Sequence, residues 1–188
     1  MASKPDRRVE RTRAALKTAF VEITLSRGYT EATVEAITAR ANIGRSTFYM
    51  HYKNREDLLL ESLQHPSTLL AAIVGDDPGV ERLVPQLEHF REQRRLNKVF
   101  LESPVKEIWV KCLARMIEPR LATLSRRAGG KPVLPPGLIA AQIAQTQISL
   151  VAAWLEHYPQ LKPPAVASAL IDATHANLAA LLRMPSAV

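Results

Sequence analysis

Residues 28 to 54 contain residues that end a helix and residues that begin one, in alternation. These signals limit which folds the first part of the chain can adopt. Thr33 is a good N-cap because its hydroxyl can accept an orphan amide proton, and it predicts a short helix through Ala41. Asn42 tolerates the left-handed backbone of a tight turn. The next helix is predicted over about residues 44 to 52. Two short helices joined by a tight turn are therefore expected here.

A longer helix is predicted on each side of this pair. The first spans about residues 5 to 27 and ends in a left-handed cap at Gly28. The fourth begins at Asn54, because Asn54 and Asp57 have the spacing of a capping box, and Pro66 marks its end or a kink. The apolar faces of these two helices are predicted to contain Val9, Leu16, Ala19, Phe20 and Ile23 in the first and Leu58, Leu59 and Leu63 in the fourth.

The remainder of the chain predicts five or so further helices. Breakers lie at residues 75 to 79, 103 to 104, 128 to 136 and 158 to 164. The last two helices, about residues 137 to 157 and 164 to 183, are rich in Ala and weakly charged, so they need burial in a bundle or a subunit interface. With only 5% aromatic residues and abundant Ala and Leu, we expect an all-α protein of about nine helices.

Composition also bears on the compartment. Cys112 is the single cysteine, so an intramolecular disulfide is excluded and a reducing cytoplasm is expected. The N-terminal residues lack the apolar core of a secretory signal. The most apolar stretch, Leu138 to Leu155, contains Gln142, Gln145 and other polar residues, so we expect a soluble protein without a membrane partner.

Positive charge is concentrated in two zones of the chain. The formal net charge is +7, and residues 91 to 131 alone hold eleven Lys and Arg residues against four acids. Residues 1 to 60 hold eleven Lys and Arg residues against seven acids. Basic zones suit nucleic acid because Lys and Arg displace the counterions of phosphate backbones.

The predicted pair of short helices has the form of a DNA-binding helix-turn-helix, whose second helix enters the major groove. On that second helix Phe48 and Tyr52 lie four residues apart and share a face that can pack inward. Arg45, Ser46 and Tyr49 lie on a different side and carry hydrogen-bond donors. The helix therefore has one side for the core and one for DNA.

The same residues resemble the N-terminal signature of the tetracycline repressor (TetR) family. The matching segments are Gly28-Tyr29, Thr33-Val34-Glu35-Ala36-Ile37 and the run from Ala41 to Leu58, ANIGRSTFYMHYKNREDL. Thr38 replaces a usual Ala, and Asn42 replaces a usual Gly but tolerates the positive φ of the turn. Gly44 replaces a usual Ser cap, and Arg55 replaces a usual Lys.

The resemblance implies a DNA-contacting role for nine residues. Arg45, Ser46 and Tyr49 would face bases, with Arg45 able to grip guanine bidentately, and Met50 could touch a thymine methyl. Thr33, Thr47, His51, Lys53 and Arg55 would hold phosphates. Three of them have an alternative: Tyr49 as a core aromatic, His51 as a packed histidine and Lys53 as a solvated lysine. Thr33 is an N-cap first, and a phosphate contact would be an addition to that role.

The resemblance also implies two domains, a helix-turn-helix domain over residues 1 to 53 and a helical effector-binding and dimerisation domain over residues 54 to 188. The partners would be double-stranded operator DNA, a second copy bound through the last two helices, and an unidentified small-molecule effector. A pocket between the middle helices would be lined by Phe90, Phe100, Trp109, Cys112, Met116, Gln147 or Trp154. The alternative for each of these is an ordinary core position.

Three functional alternatives stay open at this point. The basic zone over residues 91 to 131 predicts either an anionic effector, such as an acyl-CoA, a fatty acid or a phenolic carboxylate, or simply a solvated helix face. The protein could bind DNA constitutively, without an effector. An enzyme is disfavoured because the five histidines have no metal-ligand spacing and no phosphate loop or nucleophile motif is present, so no cofactor or metal is expected.

Overall fold

A computed structural model of the chain describes residues 7–75, 78–102, 104–128 and 131–183. Within these residues the chain forms nine α-helices, as the sequence predicted. They are α1 (Arg7–Arg27), α2 (Val34–Ala41), α3 (Arg45–His51), α4 (Arg55–Ala72), α5 (Val80–Glu92), α6 (Arg94–Phe100), α7 (Val105–Ala128), α8 (Pro136–His157) and α9 (Pro163–Leu181).

Two minor elements accompany the helices. A 3-10 turn, Tyr29–Glu31, connects α1 to α2. Two strands of two residues each, β1 (Lys131–Pro132) and β2 (Leu182–Arg183), pair antiparallel. The fold class is therefore all-α apart from this short pairing.

The chain divides into two compact units, Met1–Leu63 and Gln64–Val188, and the division falls inside α4. In the first unit, side chains from all four helices are completely buried together in one core. This core fixes α2 and α3 on the longer helices, so that the remaining sides of the two short helices are open to solvent. Its fully buried members include Leu16, Phe20, Ile37, Phe48, Leu58 and Leu59.

The core of the second unit lies mainly on α7 and α8. α7 buries residues at every fourth position, which places them along one face of the helix. α8 is buried over a wider part of its surface, as its low charge predicted. The buried residues of α7 include Val105, Trp109, Leu113, Ile117 and Leu121, and those of α8 include Ile139, Ile143, Ile148, Val151, Trp154 and Leu155.

Several boundary predictions need correction. Gly28 has the predicted positive φ of 87°, but its ψ of 163° is extended, so the cap is not left-handed. Val9 is exposed, and the predicted start of α1 at residues 5 and 6 lies outside the described residues. α4 continues through Pro66 to Ala72, because buried residues on both sides of the proline outweigh its cost of about 3 kcal/mol.

A break at Gln93, where α5 gives way to α6, has no proline or glycine to announce it and was not predicted. α8 is long and apolar enough to cross a membrane by length and composition alone, and half of its most apolar window is buried inside the protein. Core helices of water-soluble proteins meet the same criterion, so α8 is weak grounds for a membrane span.

Candidate nucleic-acid interface

The turn between α2 and α3 is built by three residues in the predicted roles. The Thr33 hydroxyl accepts a hydrogen bond from the Ala36 amide at 3.1 Å, which caps α2. Asn42 has left-handed backbone angles, φ 54° and ψ 45°, and its amide donates to the carbonyls of Thr38 and Ala39. Gly44 is the extended N-cap of α3. α2 and α3 therefore form a helix-turn-helix.

α3 has one buried side and one exposed side. Phe48 is completely buried and Tyr52, at the end of the helix, is almost so, with their ring centroids 5.6 Å apart. On the other side, Tyr49 is 58% exposed and Met50 is 80% exposed. Two large side chains exposed next to each other form a patch, which is more informative than a single exposed apolar residue. The exposed side is therefore a candidate contact surface.

Arg45, the predicted guanine reader, begins α3 and is exposed. Its Nη2 lies 2.6 Å from Oε1 of Glu35, which lies in the first turn of α2. Ser46 next to it is also exposed. The predicted base-facing residues Arg45, Ser46 and Tyr49 thus all lie on the solvent side of α3, and Glu35 joins them there.

The predicted phosphate contacts have more varied surroundings. Lys53 is exposed, whereas Thr47 and His51 are half-buried. Arg55 has a role within the fold: its Nη1 donates to the carbonyls of Tyr29 and Thr30, and its guanidinium lies 4.5 Å from the centroid of the Tyr29 ring. Arg55 therefore connects the start of α4 to the turn that follows α1.

The start of α4 is capped as predicted, with one variation. The Asn54 side chain accepts a hydrogen bond from the Asp57 amide at 2.9 Å. The Asp57 carboxylate accepts from the Lys53 amide at 2.8 Å, one residue before the usual position in a capping box. These two hydrogen bonds fix the backbone of Lys53 and Asn54 on the first turn of α4.

A cluster of three residues that sequence reasoning missed connects α1, the end of α3 and α4. Oε2 of Glu61 accepts hydrogen bonds from Arg13 Nη2 at 2.6 Å and from the Tyr52 hydroxyl at 2.7 Å. Burial alone would raise the pKa of Glu61, but the hydrogen bonds from Arg13 and Tyr52 and the charge of Arg13 hold it below its usual value. Burial and the bond to Glu61 raise the pKa of Tyr52 to about 12.

The seven predicted ligand-binding residues are not gathered around one cavity. Phe90 and Trp109 meet edge to face at 5.9 Å, and the Trp109 indole donates to the buried Ser67 hydroxyl at 3.0 Å. The Trp154 indole donates to the Leu161 carbonyl at 3.1 Å. Phe100 is also buried, and Cys112 is half-buried, with a thiol pKa raised by that burial.

Gln147 is the one predicted ligand-binding residue whose polar side chain is fully enclosed. Its Nε2 donates to Thr174 Oγ1 at 3.0 Å and to the Leu70 carbonyl at 3.3 Å. Its Oε1 is buried and has no hydrogen-bond partner among the described residues. The amide thus connects α4, α8 and α9 while one of its atoms stays unpaired.

Two cavities of about 360 Å³ each lie in the second unit. Met116 alone of the seven predicted residues lines one of them. We call them the Met116 cavity, lined by Val74, Gly75, Met116, Pro119, Arg120, Thr123, Leu124 and Arg127, and the His157 cavity, lined by Arg94, Lys98, Leu101, Glu102, Ala152, Leu155, Glu156 and His157.

Residues 19–62 match the family described as "Bacterial regulatory proteins, tetR family". The chain is also 47% identical over 60 residues to the HTH-type transcriptional regulator YxbF of Bacillus subtilis (strain 168). Those residues are 31% of this chain and 16% of YxbF, so the similarity spans only a small part of that relative's length.

Solved structures resemble the chain over nearly its whole length. A TetR transcriptional regulator from Streptococcus agalactiae 2603V is 26% identical, with 90% of this chain and 96% of that chain covered and a TM-score of 0.57. FadR of Thermus thermophilus, a TetR family transcriptional repressor in complex with lauroyl-CoA, is 19% identical, with 94% and 98% covered and a TM-score of 0.53. The second likeness is one of fold.

Proposed function

We propose that this chain, whose residues 19–62 match the tetR family of bacterial regulatory proteins, is a regulator of that family: a sequence-specific DNA-binding transcriptional repressor relieved by a small molecule. One observation carries this proposal. α3 exposes Tyr49 and Met50 together with Arg45 and Ser46, although Phe48 and Tyr52 already anchor the helix to the core. Such a surface suits the major groove, where donors and apolar groups distinguish base pairs.

Within this proposal the residues divide into base readers and phosphate contacts. Arg45, Ser46 and Tyr49 read base edges, and Met50 contacts a thymine methyl. The phosphate contacts, which fix the register without reading sequence, are Thr33, Thr47, His51, Lys53 and Arg55. DNA reading belongs to residues 1–53, and effector binding and dimerisation belong to residues 54–188.

Selection of genomic DNA fragments by the purified protein tests this proposal. We expect the recovered fragments to share a sequence arranged as two related half-sites, because a symmetric dimer presents two copies of α3. Affinity should fall steeply as salt rises, because each phosphate contact releases counterions. Fragments that share no sequence would refute sequence-specific reading while leaving non-specific binding in place.

The dimer is proposed to form through α8 and α9. α9 exposes Ala165, Ala169, Ala176 and Ala180, whose small side chains allow a partner helix to approach closely. An Ala169→Glu variant should therefore shift the protein towards monomer in light scattering, because a charge would be buried at the interface. The matched variant Ala39→Glu, on exposed α2, should leave the oligomeric state unchanged.

The effector is proposed to be an anionic molecule with an apolar tail, bound in the Met116 cavity. Val74, Met116 and Leu124 give the cavity apolar lining, and Arg120 and Arg127 also line it. Its volume of about 360 Å³ is within the range of ligand pockets. The acyl-CoA bound by T. thermophilus FadR has this chemistry. The rival proposal is that the basic zone over residues 91 to 131 is a solvated surface.

Lauroyl-CoA is the probe for this part of the proposal. It should release the protein from its DNA, and Arg127→Gln should raise the concentration required. Arg91→Gln, an exposed change that lines neither cavity, is the control. If a variant with Arg91, Arg94 and Arg95 replaced loses the response while Arg127→Gln keeps it, the ligand binds elsewhere.

Regulation in this proposal is a population shift. The effector favours a dimer conformation whose two α3 helices no longer match half-sites about 34 to 36 Å apart, or a comparable groove spacing. Repression is then relieved. Such a regulator works in the cytoplasm, where the chromosome lies.

A further inference from the structure

The proposed DNA-reading surface contains one carboxylate. Between Thr33 and Asn54 the sequence has a single acidic residue, Glu35. It lies in the first turn of α2, its side chain is 76% exposed, and it pairs with Arg45 at 2.6 Å. An acid on a surface that faces phosphates lowers affinity for every DNA sequence. Its presence there therefore needs a reason other than affinity.

Fold stability supplies only a small part of that reason, because an exposed acid in the first turn of α2 interacts favourably but weakly with the helix dipole. Both partners are largely exposed, since the Arg45 side chain is 60% exposed, and exposed ion pairs contribute little to stability. Glu35 is also not needed to cap α2, because the Thr33 hydroxyl already accepts the Ala36 amide. What the pair does accomplish is to favour one position of the guanidinium of a long, flexible side chain, between α2 and α3.

Fixing a guanidinium matters for reading a base. Bidentate recognition of guanine depends on the planar fork of donors being aimed at O6 and N7. The guanidinium has five N–H donors, and the contact to Glu35 is made by Nη2, so Arg45 can keep Glu35 while its other donors reach a base. A preorganised side chain loses less entropy on binding.

We propose that Glu35 is a positioning residue that sets the specificity of Arg45, weakening binding to all DNA while sharpening the preference for guanine. This inference rests on the proposed function, because it assumes that Arg45 reads a base. Glu35 acts through Arg45 rather than by touching the DNA itself.

The chain offers a matched control for this idea. Arg40 and Glu22 form an ion pair of 2.7 Å in the same unit, with side chains 62% and 46% exposed. Glu22→Gln and Glu35→Gln each remove one negative charge and one exposed ion pair. A difference in guanine preference between the two variants therefore reports the pairing of Glu35 with Arg45 rather than the loss of a charge.

The test measures affinity for three duplexes: the selected site, the same site with its Arg45-dependent guanine replaced, and a scrambled sequence. Both Gln variants should bind the scrambled duplex more tightly than the parent protein. Only Glu35→Gln should lose preference for guanine, by about three- to tenfold. Glu35→Asp, which keeps the charge but shortens the reach, should lose that preference without gaining scrambled-DNA affinity. Thermal melting of each variant checks that it is folded.

Introducing Glu35→Gln into the Arg45→Ala variant completes a double-mutant cycle. In the absence of the Arg45 side chain, Glu35→Gln should no longer affect the guanine preference, because Glu35 has no arginine left to position. The inference is overturned if Glu35→Gln keeps the full preference, if Glu22→Gln loses as much, or if the effect persists without Arg45. A parent protein with no preference for the selected site over the scrambled one would overturn the proposed function as well.

Discussion

The two units of this protein differ in how far they expose the residues that sequence reasoning singled out as functional. In the first unit, α3 leaves Tyr49 and Met50 in solvent, although both are large and apolar enough to be buried. In the second unit, Trp109 and Gln147 are almost completely enclosed. Tyr49 and Met50 are thus more exposed than is usual for large, largely apolar side chains, whereas the burial of Trp109 is usual for its type and that of the polar Gln147 is not.

This difference shows when a candidate functional residue can be recognised. A buried tryptophan is explained by packing alone, so its position says little about a ligand. Packing does not explain the exposed pair of Tyr49 and Met50 in the same way, because both side chains stay mostly in solvent even though the Tyr49 ring meets Phe48 edge to face. The comparison thus supports a contact surface on α3. It does not locate the effector site, which is proposed from the lining of the cavities instead.

The largest expected effect separates the two sides of α3. Phe48→Ala should lower the free energy of unfolding by about 3 to 5 kcal/mol, because a completely buried ring leaves a cavity in the core. Tyr49→Ala should cost at most about 1.5 kcal/mol, from the edge-to-face contact of its ring with Phe48 at 5.5 Å, and should mainly weaken DNA binding. Chemical denaturation and DNA titration of both variants measure this. A severe loss of stability in Tyr49→Ala would assign that ring to the core.

The next effect tests how the exposed side of α3 works. Arg45→Ala should weaken binding to the selected site by about 1 to 3 kcal/mol and relax specificity at one base pair. Lys53→Ala should weaken binding to all sequences alike, because a phosphate contact carries no sequence information. Titrations against selected and random duplexes compare the two. Equal losses on both duplexes for both variants would contradict this division.

Much of the first unit could be predicted because its signals are local. Thr33 caps α2, Asn42 makes the turn and Asn54 caps α4, and each acts through backbone groups within four residues. Tertiary contacts were not predictable in the same way. The pairing of Arg45 with Glu35 and the contacts of Arg55 with Tyr29 depend on how helices pack, which spacing alone does not give.

The second unit was predicted in its helices but not in its site. Breakers such as Gly75 and Pro104 marked its helix boundaries, whereas the break at Gln93 has no proline or glycine to mark it. Among the predicted pocket residues, Phe90 and Trp109 pack edge to face. The indole of Trp109 donates to the Ser67 hydroxyl, and that of Trp154 donates to the Leu161 carbonyl. Aromatic and amide residues at helical spacing are common to cores and pockets, so the sequence could not separate the two.

A smaller effect concerns the cluster that joins α1, α3 and α4. Because the pKa of Glu61 is lower in the folded protein, its contribution to stability is present above its ordinary value and is lost as pH falls through the folded value. Glu61→Gln should lower the free energy of unfolding by about 1 kcal/mol at pH 7. The difference in unfolding free energy between Glu61→Gln and the parent protein should shrink as pH falls below about 4.

Denaturation curves at several pH values measure this effect. Glu22→Gln is the control, because its exposed pair with Arg40 should contribute less than about 0.5 kcal/mol. A Glu61→Gln deficit that stayed constant down to pH 2 would show that the cluster acts by packing rather than by charge.

The smallest effect sharpens the account of the second unit. Gln147→Leu should change stability by less than about 1 kcal/mol, because the change removes a buried oxygen that lacks a described partner. The Thr174 hydroxyl keeps its bond to the Leu170 carbonyl. If the variant stays folded but no longer responds to lauroyl-CoA, Gln147 belongs to the effector site and the Met116 cavity does not act alone.

The most direct test of sequence-specific reading by α3 is the ratio of two dissociation constants at physiological salt, one for the scrambled duplex and one for a site recovered from genomic fragments. We expect a ratio of about 10³ or more for the parent protein, which is typical of specific DNA-binding proteins. A ratio near one, with tight binding to both duplexes, would contradict the account.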